Sequence, residues 1–290
     1  MTDLTQTRYG RMQVRLRAKI QKSLASFMRG IGRYDFDPAD FDITELEVSV
    51  PHLDAAFDGY RLVHVSDIHM GHWITKERLV GVMELVNAQK PDLVAITGDF
   101  VSYVLDEIAG DLVAALRQLT PQDASVAVLG NHDHWLGATA VRRLLHASDI
   151  IDVSNDVHTL RRQGAMLHIA GVDDVLVGAD HLPGVLAKIP EPGAAVLLAH
   201  EPDFADVSAA SGRFSLQLSG HSHGSQIVLP IRGPLIRGPH FRKYPIGRNE
   251  VAGMTVYTTR GIGTHLIRLR LNCPPEITVI TLRRQPSSES

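Results

Sequence analysis

The sequence predicts an α/β domain whose strands deliver polar side chains to a shared edge, and three observations carry that expectation. First, five short apolar runs each end abruptly in Asp, Asn or His. Run 62–65 leads into Ser66-Asp67-Ile68-His69, run 93–96 into Thr97-Gly98-Asp99, and run 125–129 into Gly130-Asn131-His132-Asp133. Run 194–199 ends at His200, and run 214–218 at Ser219-Gly220-His221-Ser222-His223. Second, segments with apolar residues at helical spacing separate the first three runs. Third, Asp67, Asp99 and His132 recur at intervals of 32 and 33 residues, close to one strand–helix–strand unit of about 30. Sheets built this way place their sites beyond the carboxyl ends of their strands.

Taken in order, the chain opens on a segment unlike the rest. Residues 8–33 hold Arg8, Arg11, Arg15, Arg17, Lys19, Lys22, Arg29 and Arg33 and no acidic residue. Removing their +8 from the net charge of −3 leaves the remainder at −11, a poor body for wrapping nucleic acid. On a helical wheel Met12, Leu16, Ile20, Leu24, Phe27, Met28 and Ile31 fall within an arc of roughly 160°, with most of the cations opposite. Three readings stay open: a helix in an anionic membrane interface, a helix docked on its own domain, or an Arg-rich transit peptide. No stretch is apolar enough to span a bilayer, and Lys22 and Arg29 interrupt the only stretch resembling a secretory signal. The expected location is cytoplasmic, peripheral on the inner face of the membrane. Pro38, in Asp37-Pro38-Ala39-Asp40, breaks the helical pattern. The expected units are a basic segment 1–34, a domain 35–284 and a disordered tail 285–290.

Within the domain, residues 41–50 alternate apolar and polar and read as an opening strand. Residues 75–88 carry Leu79, Val82, Met83, Leu85 and Val86 at helical spacing behind Thr75, a plausible N-cap. Residues 106–119 repeat the pattern up to Pro121. A helix over 138–148 precedes strands near 150–153, 157–161 and 166–172. With no evident helices between them, the second half is expected to be more antiparallel. Further strands are expected at 226–229, 254–259 and 276–282, with a Pro-, Gly- and Arg-rich loop over 230–245. The one cysteine, Cys273, excludes an intramolecular disulfide and leans toward a reducing compartment.

The side chains at the strand ends can hold metal. Asp67, His69, Asp99, Asn131, His200, His221 and His223 form a nitrogen and oxygen donor set without thiolate, suited to Mn, Fe, Co, Ni or Zn. Seven residues exceed the needs of one ion and match two divalent ions bridged by a carboxylate. Two ions bring +4, two aspartates remove two charges and a bridging hydroxide one more, leaving about +1 to attract a phosphate oxygen. Hydrolysis of a phosphoester or pyrophosphate follows from that arithmetic. The other ten histidines, His265 among them, are expected on the surface or in the core, with His72 the one to test for substrate contact. Asp133 is expected to orient a histidine. Arg237, Arg242 and Lys243, in the basic loop 232–248, are candidate substrate contacts.

Asp67-Ile68-His69, Gly98-Asp99, Gly130-Asn131-His132-Asp133, His200 and Gly220-His221-Ser222-His223 together resemble the calcineurin-like metallophosphoesterase family, in its order and over residues 60 to about 225. Gly224 to Pro230, the Thr259-Arg260-Gly261-Ile262-Gly263 turn and the segment 268–276 look like its bacterial membrane-associated branch, related to UDP-2,3-diacylglucosamine hydrolases. The resemblance implies two packed mixed sheets flanked by helices, in four layers. It implies Asp67, His69, Asp99 and His223 on one metal and Asp99, Asn131, His200 and His221 on the other. It also implies His132 outside both, beside the substrate phosphate. The basic amphipathic start replaces the transmembrane or export segment of many members of the branch, and Gly224-Ser225 replaces their Gly-Gly.

Overall fold

The computed structural model describes residues 36–229, 231, 233–235 and 238–285. The basic segment 8–33, with the membrane contact expected of it, Arg237 and residues 286–290 lie outside the described residues. In chain order the elements are β1 (Asp42–Val50), β2 (Arg61–Val65), α1 (Lys76–Ala88), β3 (Leu93–Thr97), α2 (Ala109–Leu116) and β4 (Ala124–Val128). Then come α3 (Asn131–Leu136), α4 (Ala138–Ala147), β5 (Ile150–Asp152), β6 (Asp156–Arg162), β7 (Ala165–Gly171), α5 (Leu182–Lys188) and β8 (Ala194–Leu198). The last are α6 (Ala205–Ala210), β9 (Leu216–Ser219), β10 (Val228–Leu229), β11 (Gly233–Pro234), β12 (Gly247–Val251), β13 (Met254–Thr258) and β14 (Glu276–Arg284).

Two six-stranded mixed sheets result, in the orders β1-β14-β2-β3-β4-β5 and β12-β13-β9-β8-β7-β6. Their facing surfaces form one core. Val48, Val50, Leu62, Leu93, Ala95 and Val126 of the first sheet share a cluster with Leu167, Ile169, Val196, Leu198, Leu216 and Leu218 of the second. Because strand side chains alternate, Val63, Val65, Val94 and Ile96 point the other way, onto Leu79, Val82, Met83 and Val86 of α1 and Leu112 and Leu116 of α2. The second sheet turns Ala170, Ala195, Leu197 and Val256 outward under Leu182, Val185, Ala205 and Ala209 of α5 and α6. The four layers are those of an α/β/β/α sandwich.

Local signals hold where they were strong. Thr75 caps α1, its Oγ1 accepting from the Arg78 amide at 3.2 Å. The chain before β1 packs on the same helix: a Cβ on Gly81 would stand 2.5 Å from the Phe36 ring, and Asp40 pairs at 3.0 Å with the buried Arg78. Three expectations need correction. The second amphipathic stretch is helical only over Ala109–Leu116. A six-residue helix, α3, begins at Asn131, ahead of the first helix expected there, at 138. The second sheet is largely parallel, with β7, β8, β9 and β13 aligned and only β6 and β12 reversed at its edges. Its connections run through α5 and α6, of seven and six residues, too short to leave a clear 3.6-residue period. Among the described residues no helix is long and apolar enough to cross a membrane.

Candidate metal centre

The five motifs leave β2, β3, β4, β8 and β9 at their carboxyl ends. Three belong to one sheet and two to the other, so the site sits where the two sheet edges meet. Asp67, His69, Asp99, His221 and His223 all have positive φ, between 48° and 66°. Non-glycine residues rarely adopt that region, which costs about 1–3 kcal/mol each and persists only where surroundings enforce it. Here the loops are stitched to one another. The Asp67 amide donates to Gly98 O at 3.0 Å, that of His69 to Asp99 O at 2.9 Å and that of Gly220 to His200 O at 3.0 Å. Two glycines let them close. A Cβ on Gly220 would lie 1.9 Å from Ser66 Oγ, and one on Gly130 would lie 2.4 Å from Asp99 Oδ1.

The donor atoms converge in three overlapping groups, Asp67–His69–His223, His69–Asp99–His132 and Asp67–Asp99–His200, each within 4.8 Å. In the first, His69 Nε2 lies 3.1 Å from His223 Nε2, and His223 Nε2 lies 3.4 Å from Asp67 Oδ1. Beside the third, His221 Nδ1 lies 3.2 Å from His200 Nε2, and Asn131 Oδ1 is buried with no protein hydrogen-bond partner. Asp99 Oδ2 lies between two histidines, 3.4 Å from His69 Nε2 and 3.4 Å from His200 Nε2. His200 Nδ1 donates to Thr97 O at 2.6 Å, which turns the Nε2 lone pair toward the cluster. His221 Nε2 contacts Pro239 O at 3.3 Å, turning Nδ1 inward. His132 is buried beside them, its amide bonded to Asp99 Oδ1 at 2.9 Å and its Nδ1 to Ser102 O at 3.2 Å. A nitrogen of His132 also lies within 4.8 Å of donor atoms of His69 and Asp99.

The electrostatics suit cations. Burial pushes the imidazoles of His69 and His223 down, and those of His132 and His221 to about 4, so these rings are neutral, lone-pair donors at pH 7. Burial pushes Asp67 up to about 7, with Asp99 adding to the rise. Burial opposes charge on His200 too, yet the Asp99 and Asp67 carboxylates hold it well above the usual histidine value. Buried carboxylates thus draw positive charge into this space, and the orphaned Asn131 oxygen adds a neutral donor. The residues fit divalent ions bound through oxygen and imidazole nitrogen.

All eight expected residues at the strand ends meet here. The others stand elsewhere. His72 is buried, with Nδ1 3.1 Å from Thr264 Oγ1 and its ring edge-on to Tyr103. The Arg242 amide donates to Asp203 Oδ2 at 2.8 Å, and Lys243 forms an ion pair with Asp206. Asp133 orients no histidine. Its carboxylate accepts from the amides of Asp99, Phe100 and Gly130, tying the β3 and β4 loops together. The residue that sequence reasoning missed is His265, whose ring centre lies 4.9 Å from that of His132 and 5.7 Å from that of His69. The signal was the preceding turn. A Cβ on Gly263 would stand 2.3 Å from Ile68 O, so that turn is pressed against the Asp67–His69 loop.

Fold and site together define a metal-dependent phosphoester hydrolase. The model of the calcineurin-like phosphoesterases matches residues 60–225. The chain belongs to that family. It is 34% identical over 260 residues to the uncharacterized metallophosphoesterase YkuE of Bacillus subtilis, covering 88% of this chain and 89% of that protein. It is 27% identical over 230 residues to the phosphodiesterase YaeI of Escherichia coli, covering 77% and 82%. A transmembrane protein with metallophosphoesterase domain from Danio rerio is 29% identical over 255 residues, covering 83% of this chain and 57% of its own length.

Proposed function

We propose that this hydrolase uses two divalent ions to cleave a phosphodiester or pyrophosphate bond in a membrane-associated substrate, such as a UDP-diacylglucosamine-type lipid precursor. In this reading Asp67, His69, Asp99 and His223 hold one ion, and Asp99, Asn131, His200 and His221 hold the other. The observation that carries it is Asp99 Oδ2, equally distant from an imidazole of each set. When bound, such ions polarise a phosphoryl oxygen and activate water at neutral pH. The chain's own part is to fix the donors, exclude water from the buried cluster and supply a proton. His132, its Nδ1–H held on Ser102 O, is neutral in the free protein; it takes up a proton at Nε2 as the anionic phosphate binds beside it and passes that proton to the leaving-group oxygen. The name of YaeI favours a diester over a monoester. The basic segment 8–33 and the transmembrane relative favour a substrate at the inner face of a membrane.

The test is metal analysis of the purified full chain together with a substrate series. Bis-p-nitrophenyl phosphate, UDP-sugars and acylated UDP-sugars are compared with and without chelator. We expect two ions per chain, activity lost in chelator, and the acylated nucleotide sugar cleaved fastest. An active preparation with one ion or none overturns the two-ion assignment. Equal turnover of the plain and acylated UDP-sugars overturns the lipid substrate in favour of a soluble one.

A further inference from the structure

The geometry points to His265 as a substrate contact whose ring N–H donates a hydrogen bond to a non-bridging oxygen of the phosphoryl group being cleaved. The role rests on the reading of this site as a phosphoester hydrolase and depends neither on a lipid substrate nor on the number of ions. His265 lies beyond residues 60–225, which the family model matches, so the family pattern gives it no part. Its position is built by the backbone. The Ile262 amide donates to Ser66 O at 3.0 Å and the Gly263 amide to Asp67 O at 2.8 Å, which seats the turn on the Asp67–His69 loop. The His265 amide donates to Gln226 Oε1 at 2.6 Å, and the His265 carbonyl accepts from the Ile267 amide at 2.7 Å. Gln226 is itself fixed, its Nε2 donating to the carbonyls of Ile267 and Leu269, each at 2.9 Å.

The ring completes one wall of the cluster. It stacks nearly parallel to His69 and His223, at 21° and 20°, with centres 5.7 and 5.9 Å away. It meets His132 edge-on, at 84° and 4.9 Å. A phosphate between the donor atoms and His132 would therefore have His265 as a neighbour. His72 Nδ1 is occupied by Thr264 and His132 Nδ1 by Ser102 O. His265 is half-buried, and among the described residues neither of its ring nitrogens has a hydrogen-bond partner. It also belongs to none of the donor groups that close to within 4.8 Å, so it borders the ligands without joining them. Arg260 and Arg270, the cations packed on the same turn, are committed elsewhere. Arg270 Nη2 donates to the carbonyls of Gly263 and Arg260 at 2.6 and 2.8 Å, and Arg260 pairs with Glu276 and Asp42. The role needs no change of charge, since a neutral imidazole keeps one N–H. Hydrogen bonds to a charged oxygen are the strong ones, and a ring already held in place gives one without reorganising.

The test compares His265→Phe, which keeps a stacked ring without an N–H, with His265→Asn and His265→Gln, which set an amide N–H near the place of Nδ1 or Nε2. The full-length, metal-loaded proteins are titrated with inorganic phosphate by calorimetry. Metal content and hydrolysis of bis-p-nitrophenyl phosphate and diphenyl phosphate are measured alongside. His265→Phe should bind phosphate about tenfold to a hundredfold more weakly, keep the parent's metal, and lose kcat/KM by a similar factor for both diesters. One of the two amide variants should recover part of the phosphate affinity. Phosphate affinity equal to the parent's in His265→Phe overturns the assignment, because packing alone would then suffice. Metal lost from all three variants makes His265 a ligand and overturns it too. A rate loss confined to diphenyl phosphate, the poorer leaving group, makes His265 a proton donor like His132 and also overturns it. A parent that neither binds phosphate nor cleaves a diester brings down the hydrolase reading as well, whereas an active parent matched by its variants brings down only the part given to His265.

Discussion

Asp99 shows how much one side chain is asked to do. Its Oδ2 faces His69 and His200, its Oδ1 accepts from the His132 amide, and its own amide donates to Asp133. Asp99→Ala therefore should empty the cluster of metal and abolish activity, as metal analysis will read. His132→Ala has a different signature: metal content nearly unchanged and a rate lowered by about 10²–10⁴ for a poor leaving group. The loss should be smaller for a nitrophenyl ester, which leaves without a proton. Loss of metal in that variant would make His132 a ligand, a role its closeness to His69 and Asp99 also permits. The clustering of the expected residues was legible because each follows an apolar run, where a strand must end. His265 was not, because it follows a glycine turn instead of a strand and reaches the cluster only through tertiary packing. The job of Asp133 was hidden for a related reason: its partners are backbone amides, which no side-chain pattern reports.

Turns matter as much as strands among the elements that bring the cluster together. Gly220, between β9 and His221, has space for a hydrogen and nothing more. Gly220→Ala should cost about 1–3 kcal/mol, the usual range for overpacking, and weaken metal retention, since the methyl group lands on Ser66 and Asp67. Gly110→Ala, at a helical position in α2 with nothing within 4 Å, is the control and should be neutral or slightly stabilising. Urea melts of both variants, with metal content measured alongside, decide the point. The helices illustrate what can be read in advance. α1 announced itself through five spaced apolar residues and a threonine cap. α3 has six residues and ends at Gly137, so its pattern closes before a period can register. The same brevity in α5 and α6 disguised a largely parallel sheet as an antiparallel one.

For the whole molecule, the contact between the two sheets is a matter of charge as well as of packing. Glu276, at the start of β14, accepts from the Tyr257 hydroxyl of β13 at 2.5 Å and from Arg260 Nε at 2.9 Å, while Arg260 also pairs with Asp42 at the head of β1. Burial pulls the Glu276 carboxyl up, but the Tyr257 hydroxyl and Arg260 outweigh it and hold the group below its usual value. A carboxyl depressed in the folded state contributes stability above its unfolded value of about 4.3 and loses that contribution as pH falls through the folded value. Thermal melts should therefore show the parent losing its advantage over Glu276→Gln as the pH drops from 6 toward 3. A pH-independent gap between the two would show that the pair acts through shape alone. The placement of the cluster across both sheets has one more consequence. His69 and His223 face each other from positions 154 residues apart, and β9 must be in place before His221 and His223 can arrive. During synthesis, while the ribosome still holds the later strands, the emerging chain offers an ion only part of its grip. Tight metal capture thus waits until both halves have met, and a truncated or stalled polypeptide stays chemically silent.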